Sequence, residues 1–215
     1  MESVLLTGLF VLLAIVICVI GIAIRLREIM NRPYKQDLSR ERGSVRKGVL
    51  YAFTLGMAPW EKESTRIHWI AYLRGIFFHV GIFAAFAVLL VSPWLENIPA
   101  ILKWIFIVIT ASGAIFGFAG IYMRWAGENE RALSVPDDYF SVFLAALFTA
   151  FACITLLLPV VLPVFYVIAA ILFLYIPISK IRHCVYFFYS KFFFGASFGH
   201  RGVIGHSHSE QIKRG

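Results

Sequence analysis

Long apolar runs alternate with short charged segments along the whole chain. A helix needs about 20 mostly apolar residues to cross a bilayer. The runs therefore predict five transmembrane helices, over residues 4–24, 74–94, 104–123, 139–158 and 164–178. We expect an all-α, multi-pass membrane protein whose residues 1–215 form a single domain, because the connections leave no room for a separate soluble one.

Charged residues are distributed unevenly between the two ends of these spans. The connections 25–67 and 124–138 and the segment 179–215 share one side, and they hold 18 of the 20 lysines and arginines. Cytoplasmic loops of membrane proteins are enriched in these residues. We therefore predict an N-terminus outside, a cytoplasmic loop at 25–67 and a cytoplasmic C-terminal tail at 185–215, in the inner (cytoplasmic) membrane.

The excess of lysine and arginine over aspartate and glutamate bears on which partners the sequence predicts. The net charge of +8 is explained by this topology, so no nucleic-acid partner is expected. The three cysteines stand singly, without a CxxC pair, and so encode neither an iron–sulfur cluster nor a zinc site. No nucleophile–base pair, carboxylate dyad or glycine-rich phosphate loop is present in the sequence, and no catalytic residue is predicted.

Two segments each admit two interpretations. Residues 44–60 are apolar but too short to span, so they either lie flat at the membrane interface or dock a soluble partner. Gly113, Gly117 and Gly120 in the third span indicate either close helix packing or room for a flat macrocycle beside the backbone.

The second span, 74–94, contains a histidine. His79 follows Arg74, which marks the basic membrane edge, by five residues, roughly 7 Å along a helix. An ionisable side chain is costly in hydrocarbon and commonly functional there. His79 either hydrogen-bonds a neighbouring helix or binds a metal, for which heme iron is the first candidate.

A second histidine lies at the basic end of the fifth span. His183 follows Lys180 and Arg182. Two histidines on two helices, at similar depth near one face, are what a bis-histidine heme requires. Arg74, Lys180 and Arg182 are candidates to neutralise the heme propionates. The spans carry no histidine in their outer halves, so we predict one heme b, held by His79 and His183.

His68 precedes His79 by eleven residues, which returns it to nearly the same helix face, about 16 Å nearer the basic side. It is a solvated interfacial histidine, a ligand of a second heme with His200, or a proton-handling group. The last role belongs to a quinone site with Trp69 and Tyr72, since a histidine titrates near neutral pH.

The sequence around both predicted ligands resembles a known family. FFHVGIF around His79 and LFLYIPISKIRH ending in His183 resemble segments of the cytochrome b (gamma) subunit of respiratory nitrate reductases. They also resemble related membrane subunits of heterodisulfide-reductase-like and sulfite-reduction-linked complexes. The resemblance covers most of residues 74–201, and its most specific part is Pro-x-Ser-Lys-x-x-His.

In that family, the second and fifth spans supply four histidines to two hemes. His79 and His183 match the pair at the cytoplasmic-side heme. The outer pair would fall near Leu89 and Phe165, neither of which is a histidine. The resemblance therefore implies one heme, and the missing outer pair puts the family's quinol pocket beside the outer heme in doubt.

The function implied by the resemblance is electron transfer. The chain would connect a membrane quinone, for which menaquinone is the expectation, with the iron–sulfur clusters of a cytoplasmic oxidoreductase subunit. It would be the quinone-reactive subunit of such a complex and not catalytic alone. Two alternatives stay open: a two-heme carrier that uses His68 and His200, and a non-redox membrane scaffold.

Overall fold

The computed structural model describes residues 2–32, 38–61, 65 and 67–203. Within these residues the regular elements are helices, and no strand is found. The α-helices are α1 (Glu2–Met30), α2 (Val45–Phe53), α3 (Trp69–Val91), α4 (Ala100–Ala126), α5 (Glu128–Ala132), α6 (Pro136–Leu157), α7 (Leu162–Tyr175) and α8 (His183–His200). Short 3₁₀ turns cover Leu55–Met57, Pro59–Glu61, Ser92–Asn97, Pro159–Val161, Ile176–Ile178 and Lys180–Arg182.

Five stretches of the described chain are long and apolar enough to cross a membrane. They are Glu2–Met30, Trp69–Asn97, Ala100–Ala126, Pro136–Leu157 and Pro159–Ile178. The predicted all-α fold with five transmembrane helices is confirmed, and it is the organisation of a multi-pass membrane protein. The orientation of the termini stays a prediction.

The chain divides into two compact units. Unit 1 comprises Met1–Arg25 and Ile70–Arg182, and unit 2 comprises Leu26–Trp69 and His183–Gly215. The predicted loop 25–67 and tail 185–215 fall almost entirely into unit 2. The described parts of these two segments, about 120 residues apart in sequence, thus belong to one compact body; residues 33–37, 62–64, 66 and 204–215 lie outside the described part.

Close contacts at glycines join α3, α4 and α6 in unit 1. A Cβ built on Gly81 would lie 2.5 Å from the Cα of Gly113, so these two helices touch backbone to backbone. A Cβ on Gly117 would lie 2.6 Å from the ring of Phe78 and 2.8 Å from the Cβ of Ala146. Helix packing therefore explains Gly113 and Gly117, and the space beside them is already filled.

Aromatic rings fill the centre of unit 1 around α7. Phe165 is fully buried and stacks on Phe148 of α6 with ring centroids 5.3 Å apart. Phe173 packs against Phe86 of α3 at 5.7 Å. Phe165, near which the resemblance would place one outer histidine, is thus a core residue.

Glycines also bring α2 and α8 together in unit 2. A Cβ on Gly48 would overlap the carbonyl oxygen of Gly195 and lie 2.5 Å from the Cα of Gly199. Residues 44–60 therefore contain a helix whose buried side has a partner within the chain, α8. Interfacial binding and docking both stay predictions for the exposed side of this segment.

Replacement of Gly113 by Ala is expected to destabilise unit 1. The added methyl group would lie 2.5 Å from the Gly81 backbone, so the helices must separate. Overpacking of this kind costs about 1–3 kcal/mol. Thermal unfolding of the purified protein in detergent measures the loss.

Gly75→Ala is the matched control, because a Cβ at Gly75 meets nothing within 4 Å. Alanine favours a helix over glycine by up to about 1 kcal/mol, so this variant should be unchanged or more stable. Equal losses in the two variants would contradict the role of the Gly81–Gly113 contact.

Candidate functional site

His79 lies on an exposed side of α3. Its Nδ1 is 2.7 Å from the carbonyl oxygen of Gly75, one turn earlier in the helix. A carbonyl oxygen only accepts hydrogen bonds, so Nδ1 carries the proton. In the neutral ring the lone pair then resides on Nε2, which is the arrangement found in metal-binding histidines whose other nitrogen donates to a backbone carbonyl.

Arg74 points to a different side of the same helix. Residues five apart on an α-helix are separated by about 140° around the axis. The half-buried Arg74 side chain lies against α4, where its guanidinium is next to Gly120 and donates to the sulfur of Met123 at 3.3 Å. Gly120 therefore provides room for this guanidinium.

Lys180 takes part in a polar cluster that joins the start of α6 to the end of α7. Its Nζ donates to both carboxylate oxygens of Asp138, at 2.7 and 2.8 Å. Its backbone N–H donates to Asp137 at 2.9 Å. The other oxygen of Asp137 accepts hydrogen bonds from the hydroxyls of Tyr175 and, at 3.0 Å, Ser141. A heme propionate would therefore compete with Asp138 for Lys180.

Sequence reasoning did not single out Asp137 and Asp138. They follow Pro136 in the first turn of α6, where acidic side chains stabilise the helix N-terminus. Asp138 also accepts the backbone N–H of Val135 at 2.9 Å. The helix-start pattern of proline followed by two acids was readable from the sequence, whereas their partners 38 to 43 residues later were not.

The predicted heme ligands are found in different units. His79 belongs to unit 1, and His183 opens α8 in unit 2, where its side chain is exposed. Arg182, half-buried, is the last residue of unit 1. The pairing of His79 with His183 stays a prediction.

The predicted quinone residues lie around the start of α3. His68 and Trp69 are exposed residues of unit 2, and Tyr72 is a half-buried residue of unit 1.

His200, the alternative partner of His68 as a ligand of a second heme, has its Nε2 2.9 Å from the carbonyl oxygen of Ser39. The backbone carbonyl of His200 also accepts a hydrogen bond from the backbone N–H of Arg42 at 2.9 Å. His200 therefore holds segment 39–42 in place within unit 2.

Among the described residues, no group of three or more His, Cys, Asp or Glu side chains could hold a metal ion. A bis-histidine heme needs only two protein ligands, so this finding concerns metal centres with larger ligand sets.

Comparison of the chain with protein-family models, with curated proteins and with solved structures gave no match. A functional assignment therefore rests on the residues described above.

The ion pair of Asp138 and Lys180 is expected to stabilise the junction of α6 and α7. Side-chain relative exposure is 14% for Asp138 and 52% for Lys180, so the pair is partly shielded from water. A double-mutant cycle with Asp138→Asn and Lys180→Gln should give a coupling free energy of about 0.2–1 kcal/mol, the range of ion pairs that are partly exposed to solvent. The measurement is reversible unfolding in detergent at constant pH and salt.

Glu128→Gln combined with Lys180→Gln is the matched control cycle, because Glu128 is an exposed acid of α5. Its coupling should be close to zero. A zero coupling in the Asp138 cycle would contradict the stabilising role of the ion pair.

Proposed function

We propose that the chain is a membrane heme b subunit that passes electrons between a membrane quinone and an iron–sulfur partner. The observation that carries the proposal is His79, a histidine in a membrane-spanning helix whose Nδ1–H donates to the Gly75 carbonyl at 2.7 Å. This bond orients the ring and gives Nε2 the lone pair, as an iron ligand requires.

The surroundings of His79 fit a flat, apolar macrocycle. Three exposed apolar side chains lie near His79 on α3. Ile76, three residues before it, is 40% exposed, and Phe83, four residues after it, is 69% exposed. Val80, the next residue, is 45% exposed. Positions three and four apart share a helix face. Ile76 and Phe83 thus place apolar surface on both sides of the imidazole along α3, where a porphyrin would pack.

In the proposal, His183 is the second axial ligand of a single heme b. The heme supplies the one-electron chemistry, and the protein supplies ligation, orientation and charge. Because Lys180 is paired with Asp138 and Arg74 lies against α4 beside Gly120 and Met123, the proposal assigns the propionates to Arg182.

Quinone is the proposed electron-exchange partner in the membrane, with menaquinone expected. His68 would transfer the proton, and Trp69 and Tyr72 would flank the ring at the start of α3. The iron–sulfur partner would bind on the cytoplasmic side of the inner membrane, the side to which the lysine and arginine distribution assigns unit 2.

The heme assignment is tested by counting heme in the purified full-length protein. A pyridine hemochrome assay should give about one low-spin heme b per chain. His79→Ala and His183→Ala should each abolish it, because each removes an axial ligand.

His200→Ala is the matched control and should keep its heme. Normal low-spin heme in both the His79 and His183 variants would overturn the assignment. Two hemes per chain would support the carrier that uses His68 and His200, and a folded chain without heme would support the non-redox scaffold.

The quinone assignment is tested with His68→Ala in the assembled complex. Reduction of the heme by a menaquinol analogue should slow in His68→Ala, because the proton acceptor is removed. Heme content and reduction by the partner's own donor should not change. Stopped-flow absorbance measures both rates, and unchanged quinol kinetics would exclude His68 from the mechanism.

A further inference from the structure

A cavity of about 130 Å³ lies at the end of unit 1 away from the Asp138–Lys180 pair. It is formed where the turn between α3 and α4 meets the turn between α6 and α7. Its polar lining residues are Glu96, Lys103 and Thr155. Leu95, Ile98 and Leu156 are among its apolar ones. The volume is several times the share of one molecule in liquid water, ~30 Å³.

The hydroxyl of Thr155 differs from those of two other buried threonines. Thr110 and Thr149 donate to carbonyl oxygens one helical turn earlier, at 2.6 and 2.8 Å. Thr155 is equally buried, and its Oγ1 has no hydrogen-bond partner among the described residues. A buried hydroxyl without a partner is destabilising, so a ligand that satisfies it gains affinity.

Glu96 and Lys103 bring opposite charges to the same cavity. Glu96 belongs to the 3₁₀ turn Ser92–Asn97, and Lys103 lies in the first turns of α4. Within the described residues neither side chain forms an ion pair, with the other or with a third group. A lining with one separated cation and one separated anion is complementary to a zwitterion, whereas an anionic ligand would be repelled by Glu96.

Exposed tryptophans mark the depth of the cavity in the membrane. Trp94 and Trp104 flank the lining residues of the turn between α3 and α4 in sequence, and each is 61% exposed. Tryptophan is enriched at the level of the lipid headgroups. Both membrane-spanning hairpins also turn at this level, so the cavity lies where headgroups are concentrated.

We propose that this cavity binds the headgroup of a phospholipid that carries a primary ammonium, such as phosphatidylethanolamine. The phosphate would pair with Lys103 and accept a hydrogen bond from Thr155, and the ammonium would donate to Glu96. A primary ammonium has N–H donors for a carboxylate, whereas the trimethylammonium of choline has none. The apolar lining residues would contact the glycerol and the upper acyl chain.

The test uses the full-length protein, purified in detergent and delipidated. Phosphatidylethanolamine should raise the thermal unfolding midpoint more than phosphatidylcholine or phosphatidylglycerol does. It alone of the three combines the phosphate anion with an ammonium that can donate hydrogen bonds to Glu96. Native mass spectrometry should show one retained phosphatidylethanolamine per chain. Soluble glycerophosphoethanolamine, added separately, distinguishes a lipid from a free zwitterion and should give a smaller shift.

Three variants locate the effect. Lys103→Gln and Glu96→Gln should each lose the preference for phosphatidylethanolamine. Thr155→Val keeps the side-chain shape, so it should raise the midpoint of the lipid-free protein while reducing the shift caused by the lipid. Thr149→Val and Arg131→Gln are matched controls that should keep the full lipid shift, because Thr149 bonds its own helix and Arg131 is on α5.

Equal shifts with the three lipids in the wild-type protein would overturn the proposal. Retention of the preference in both charge variants would also overturn it. A shift with glycerophosphoethanolamine as large as with the lipid would replace the lipid by a soluble zwitterion. If a variant does not fold, the wild-type lipid comparison and the retained-lipid count still decide the outcome.

Discussion

Close contact between helix backbones is the constraint on which the membrane-spanning unit depends. Lipid tails are as apolar as leucine, so burying leucine between helices gains little in a bilayer, and association relies on close packing. The Gly81–Gly113 contact and the fit of Gly117 against Phe78 supply that packing. Large apolar side chains can then remain exposed on the outside of the helices, as Leu90 on α3 shows.

The same constraint moves polar chemistry to the ends of the spans. In hydrocarbon every polar group must be satisfied inside the protein, and the buried hydroxyls of Thr110 and Thr149 achieve this by bonding their own helices. A charged side chain is far more costly in hydrocarbon, and Asp138 and Lys180 pair with each other where α6 begins and α7 ends. At the opposite end of α6, Glu96 and Lys103 line a cavity but do not form such an ion pair. We therefore assign ligand binding to the end with the cavity, and a stabilising role to the end with the Asp138–Lys180 pair.

Local properties of the sequence were sufficient to predict the spans. Length and hydropathy are read within one segment, and all five predicted helices are present, with ends shifted by a few residues. The contacts of Lys180 with Asp138 and of Gly48 with Gly195 join residues 42 and 147 positions apart, and a single sequence does not encode such pairings visibly. The glycines of α4 show where prediction from the sequence ends, because close helix packing and room for a macrocycle both require the same small residues.

His79 was found from the sequence because an ionisable residue in an apolar run is conspicuous, but its tautomer required the structure. A threonine that bonds its own helix has used its only proton, and no further chemistry is implied. An imidazole that donates Nδ1–H to the helix still has a second nitrogen, and the first bond decides that this nitrogen is the basic one. The heme and scaffold hypotheses therefore differ in what contacts Nε2, which makes heme content in the His79 and His183 variants the decisive comparison between them.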